Sequence, residues 1–220
     1  MKIGFDLLTN YSNESYPFSC AKRVIKNKNK NIEVYFYRIW GIEVSPSFSN
    51  AFCFVVYESD KYCVLAILME KKSLFERNKN LDLMELIKKS DLKIDLNNID
   101  NILENPEKYC LIKLTKDDFI FQQYVVDSKK VEDISSTFLK TNLSFEPNNK
   151  VGEDGIYYNF KMCLVRESID LSFHSCNISK YEPLLNQCIK IAKLISERSK
   201  NTTVKMQLKN WMNLFKRSSV

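Results

Sequence analysis

Hydrophobic positions along this chain repeat in two ways: every second residue or in unbroken short runs, as in strands, and at a spacing near 3.6, as in helices. Ile32 to Ile39 is dense in β-branched and aromatic residues and reads as a strand. The basic stretch before it, Lys22 to Lys30, lacks helical spacing over its second half and reads as an exposed turn or loop. Ala51 to Tyr57 and Lys61 to Glu70 are apolar at nearly every position and are separated by Glu58, Ser59 and Asp60. That is the spacing of a β-hairpin, and such continuous apolarity predicts a central place in a sheet covered on both faces.

The middle of the chain turns helical, with Leu83, Leu86 and Ile87 on one face of a helix over Leu81 to Lys89 and a short helix over Asn98 to Leu103 that stops near Pro106. Tyr109 to Leu114 and Phe119 to Val126 return to strand character, and Lys129 to Leu139 sets Val131, Ile134 and Phe138 on one helical face. Glu153 to Gly155 is a turn signal. It leads into strands over Ile156 to Val165 and Ile169 to Phe173, joined at Arg166 to Ser168. In the second strand Ile169, Leu171 and Phe173 face one way, while Asp170, Ser172 and His174 face the other.

The last forty or so residues predict two amphipathic helices. Ser179 and Glu182 have the spacing of a capping box, with Pro183 in the first turn, and Tyr181, Leu184, Leu185, Cys188, Ala192 and Ile195 form the apolar stripe. After Lys200 to Thr202, a second stripe runs through Val204, Leu208, Trp211, Met212 and Phe215. Strands, helices, strands and terminal helices, without regular alternation, predict an α+β class: a mostly antiparallel sheet with packed helices. The expectation is one domain over 1–220, with the C-terminal helical segment 179–217 packed on the sheet.

Composition adds compartment and charge. The seven cysteines are odd in number and widely spaced, with no Cys-x-x-Cys, as expected of free thiols in a reducing, cytoplasmic setting. The longest apolar run, Tyr62 to Met69, is far short of the ~20 residues of a membrane-spanning helix. Asp6 interrupts the first apolar stretch, and no leader is read there. Asn-x-Ser/Thr matches, Asn13, Asn142, Asn177 and Asn201 among them, are the chance product of an Asn-rich chain.

Net charge is +6, and all of the excess lies at the end: residues 180–220 hold nine Lys or Arg against Glu182 and Glu197. With 27 Lys to 6 Arg and 21 Asn, drift in an AT-rich genome accounts for much of this, so the basic segment alone is weak ground for nucleic-acid binding.

The chemistry-bearing residues form no known framework. One histidine and no paired cysteines leave no zinc spacing, and the four glycines build no phosphate cradle, so no metal or cofactor is expected. Asp170, Ser172 and His174 match a triad in residue type. Alternate strand residues, however, stand ~6.6 Å apart, about twice the reach of a nucleophile and its base. No catalytic residue is assigned, and a hydrolase with a dispersed, non-standard site is the last of three readings.

The first reading is a small protein-binding module, such as an inhibitor or immunity-type neutraliser, with Tyr35, Tyr37, Trp40, Tyr124 and Tyr157 as contact candidates because such rings combine area with a polar handle. Sheet packing is the competing explanation for those rings. The second is nucleic-acid association through Lys190, Lys193, Arg198, Lys205, Lys209, Lys216 and Arg217, with Lys22 to Lys30 extending the footprint.

Overall fold

A computed structural model describes residues 21–27, 29–46, 49–73, 76, 115–140, 155–175 and 178–218. The two helices and the strand expected within 81–114 lie outside these residues. The described strands are β1 (Ala21–Asn27), β2 (Lys30–Phe36), β3 (Arg38–Pro46), β4 (Phe52–Glu58), β5 (Tyr62–Glu70), β6 (Phe119–Asp127), β7 (Ile156–Leu164) and β8 (Ser168–His174). The helices are α1 (Lys129–Lys140), α2 (Ile178–Arg198) and α3 (Thr202–Ser218). Six strands form one antiparallel sheet in the order β6-β5-β4-β3-β7-β8, and β1 with β2 forms a separate two-stranded sheet. The α+β class read from the sequence is the observed one.

Alternation along each strand sorts the core into two clusters. Trp40, Ile42 and Val44 of β3, Phe52, Phe54 and Val56 of β4, and Leu65, Ile67 and Met69 of β5 face the helices. Ile39, Cys53, Val55, Tyr57, Val64, Ala66 and Leu68 face the other way, toward Ile25, Val34 and Phe36 of the β1–β2 hairpin. Every residue of β4 is buried, as continuous apolarity and a place in the middle of the sheet require.

The helical layer is fixed by an aromatic chain. Trp211 of α3 meets Phe52 edge-on at 5.5 Å, Tyr158 stacks on Phe173 at 5.0 Å, and Phe173 stacks on Tyr181 of α2 at 4.1 Å. The stripes expected of α2 and α3 are the buried ones, from Tyr181 through Ile195 and from Val204 through Phe215, with Met212 partly buried. Asn201 caps α3: its Oδ1 accepts from the Val204 amide at 3.1 Å.

Three local expectations are corrected. Lys22 to Lys30 is not a loop: Lys22 to Asn27 belongs to β1, Lys30 begins β2, and Asn29 takes φ 66° at the turn. Lys22, Val24 and Lys26 point outward while Ile25 is buried, so the lysines occupy the wet face of an alternating strand. The strand read over Ile32 to Ile39 is two strands that break at Tyr37, where the chain passes from the hairpin to the main sheet. In α2 the helix begins at Ile178, so Ser179 lies in its first turn rather than at its cap, and Pro183 sits inside the helix. There Pro183 lacks the N–H that the Ser179 carbonyl would accept.

Candidate interaction surface

Buried polar groups are the usual ground for chemistry, and the network around Glu58 is structural. Glu58, at the end of β4, is 2% exposed, and its Oε1 accepts from Trp40 Nε1 at 2.6 Å and from the Ser135 hydroxyl of α1. Trp40 Nε1 also donates to Ser135 Oγ at 3.0 Å, and Arg38 reaches Glu58 Oε2 at 3.3 Å. Burial raises the Glu58 carboxyl above its ordinary value, against the opposing pull of Ser135, Arg38 and Trp40. The network ties β3, β4 and α1 together; Trp40 and Ser135 are both 0% exposed, so a substrate does not reach it.

On the opposite face Glu43 is buried and accepts from Asn159 Nδ2 at 3.1 Å. Burial, reinforced by Glu43, pushes the Cys53 thiol well up, and on the helix side burial pushes Cys63 up to about 12. Both thiols are inert hydrophobes at neutral pH. His174 does share a strand face with Asp170 and Ser172, but it is buried against the Tyr157 ring at 4.6 Å. Gly155 presses on it so closely that a Cβ there would stand 2.5 Å from His174 Cε1. Among the described residues no three His, Cys, Asp or Glu side chains gather in a way that could hold a metal ion, and no helix is long and apolar enough to cross a membrane.

The aromatic candidates separate sharply. Trp40 is wholly buried and hydrogen-bonded inside the core, so it offers no contact surface. Tyr124 is partly buried against the helix-side core and donates to Gln122 at 2.6 Å. Tyr37 is partly buried with the Arg38 guanidinium 5.7 Å over its ring, and burial raises its hydroxyl above the usual range. Tyr35 and Tyr157 remain outward, at 50% and 42% exposure. They stand on different sheets, so the five rings do not make one patch.

Tyr35 has company that the sequence did not point to. Across the hairpin it lies opposite Lys22, and Val24, also half exposed, lies opposite Glu33. Beside the same strand runs a groove of about 440 Å³ lined by Ile32, Glu33, Val34 and Tyr35 on one side and by Ser59, Asp60, Lys61 and Tyr62 on the other. The signal for this hairpin was present in the alternation of Ile32, Val34 and Phe36, masked in β1 by the lysines and asparagines around Ile25.

The basic candidates Lys190, Lys193, Arg198, Lys205 and Lys209 are all exposed; the side chains of Lys216 and Arg217 lie outside the described residues. Lys190 donates to Gln187 at 2.9 Å, and Met206 and Leu214 break the α3 face with apolar surface. Comparison with protein-family models, with curated proteins and with solved structures finds no match to this chain.

Proposed function

We propose that this protein is a protein-binding module of the neutraliser or inhibitor kind, and that the β1–β2 hairpin is its contact element. One observation carries the reading: Val24 and Tyr35 stand half exposed on the outer face of a hairpin whose inner face is anchored by Ile25 and Phe36. An aromatic and an aliphatic residue held on a ribbon whose other face is packed supply contact area at little cost in lost freedom. The long-chain lysines around them supply charge selectivity.

The test is affinity purification of the tagged protein from its own cells at low and high salt, beside a Val24→Ser/Tyr35→Ser variant. A stoichiometric protein retained at high salt by the native chain and lost by the variant supports the reading. A protein retained equally by both removes the hairpin from it. Nucleic acid recovered only at low salt, and lost on Lys205→Glu/Lys209→Glu, favours instead the exposed lysines of α2 and α3, since phosphate contacts weaken steeply with salt.

A further inference from the structure

The hairpin has an edge whose direction can be worked out from its register. In an antiparallel pair, facing residues alternate between exchanging both backbone hydrogen bonds and exchanging none. Asn27 and Lys30 are the pair that closes the turn, so they bond to each other, and so in turn do Ile25 with Ile32, Arg23 with Val34 and Ala21 with Phe36. Asn31, Glu33 and Tyr35 therefore aim their N–H and C=O groups away from β1. Tyr37 fixes the same parity independently: its N–H, next in that series, donates outward to the Glu58 carbonyl at 3.0 Å. Among the described residues no strand pairs with this edge of β2, and the groove of about 440 Å³ runs along it from Ile32 to Tyr35.

We propose that the outward edge of β2 takes up an extended, acidic segment of a partner protein as an added strand. The inference rests on the protein-binding reading above and gives it a mode. Main-chain bonds to Asn31, Glu33 and Tyr35 supply affinity, and the flanking side chains supply choice. The charge of the occupant follows from the hairpin itself. Residues 21–37 carry Lys22, Arg23, Lys26, Lys28 and Lys30 against Glu33 alone. Glu33 is already met by Lys22 at 2.7 Å, whereas Lys26 and Lys30 form no ion pair among the described residues. Asp60, on the far wall, is followed directly by Lys61. An incoming acidic strand thus meets Lys30 on the strand that it would pair with and Lys26 one strand beyond, and a basic one meets their repulsion.

The probe is a capped heptapeptide in which Glu and Thr alternate with Val, with its Lys-for-Glu counterpart, two forms N-methylated on one or the other alternate set, and a ten-residue oligothymidylate. Binding is read by fluorescence anisotropy and by amide exchange of the full-length protein. The acidic peptide is expected to bind about fivefold tighter than the basic one, as reversing the charge that faces Lys30 would give. It should slow exchange at Asn31, Glu33 and Tyr35 while leaving Ile32 and Val34 unchanged. Methylating one alternate set should abolish binding, and methylating the other should not.

Equal binding of the two charges, no binding up to about 1 mM, equal tolerance of both methylated forms, protection elsewhere, or displacement of the peptide by the oligonucleotide would each overturn the proposal. Glu33→Pro, which deletes one outward N–H and no bond to β1, separates this failure from that of the wider reading. A purified partner retained by a folded Glu33→Pro protein overturns the added strand and leaves the binding module. A native chain that retains no partner overturns the module as well. Should Glu33→Pro fail to fold, the methylated peptides alone decide the matter.

Discussion

Ser135→Ala tests the network that joins α1 to the sheet. The hydroxyl is 0% exposed, donates to Glu58 Oε1 and accepts from Trp40 Nε1 at 3.0 Å. Its removal takes a hydrogen bond from a buried charged group, a loss of about 1.5–3 kcal/mol, and opens almost no volume. Alanine returns roughly 0.5 kcal/mol through its better helix propensity. The net is a destabilisation of about 1–2.5 kcal/mol, or about 2–10 °C in Tm for a chain of this size. Ser136→Ala is the control, because Ser136 makes the same helical change but its hydroxyl only returns to the Asp133 carbonyl at 3.1 Å.

The pH dependence of that loss follows from Glu58. Its folded pKa lies above the ordinary 4.5 because it is buried, so its contribution favours the fold below that value and is lost as pH rises through the folded pKa. Ser135 opposes the shift by stabilising the carboxylate. Without Ser135 the folded pKa rises further, so the deficit of the variant should be small below pH 4.5 and should grow as Glu58 ionises. Urea unfolding followed through Trp40 and Trp211 fluorescence, at acid and neutral pH, measures it. A deficit no larger than that of Ser136→Ala, or one that does not change with pH, refutes the reasoning.

Other consequences are independent of this network. Gly155 has φ 146° and no room for a Cβ beside His174 and Ser175; Gly155→Ala should cost about 1–3 kcal/mol in denaturant unfolding, partly recovered by adding His174→Ala. Asn201→Ala removes the cap on the Val204 amide and should cost about 1 kcal/mol, seen as a lower urea midpoint. Pro183→Ala restores an N–H inside α2 and should stabilise the protein by about 1–3 kcal/mol, seen as a higher Tm.

The parts of the fold that were legible in the sequence are those whose pattern is carried by local burial. β4 and β5 are apolar throughout because both faces are covered, and the stripes of α2 and α3 keep helical spacing because one face meets the sheet. β1 was not legible, since its buried Ile25 is surrounded by lysines that look like loop until Ile32 is known to lie opposite. Trp40 and Glu58 show the limit more clearly. The sequence put one among contact residues and the other in a turn, yet they are bonded to each other in the core across 18 positions of chain. Nothing local marks such a pair, because it is created by the β3–β4 register. The same holds for the interaction surface: Tyr35 could be named from its residue type, but the groove beside it and the outward direction of its backbone come from pairing alone.

The central claim is that a protein partner docks on the hairpin, and site-specific photo-cross-linking addresses it most directly. A benzophenone amino acid placed at Tyr35, at Tyr157 and at Met206, each exposed in the structure, reports what lies against three separate surfaces in the cell. The result expected is one discrete protein adduct from position 35, persisting at high salt and absent from positions 157 and 206. Adducts from 157 or 206 with none from 35, or nucleic acid as the only species captured, would contradict it.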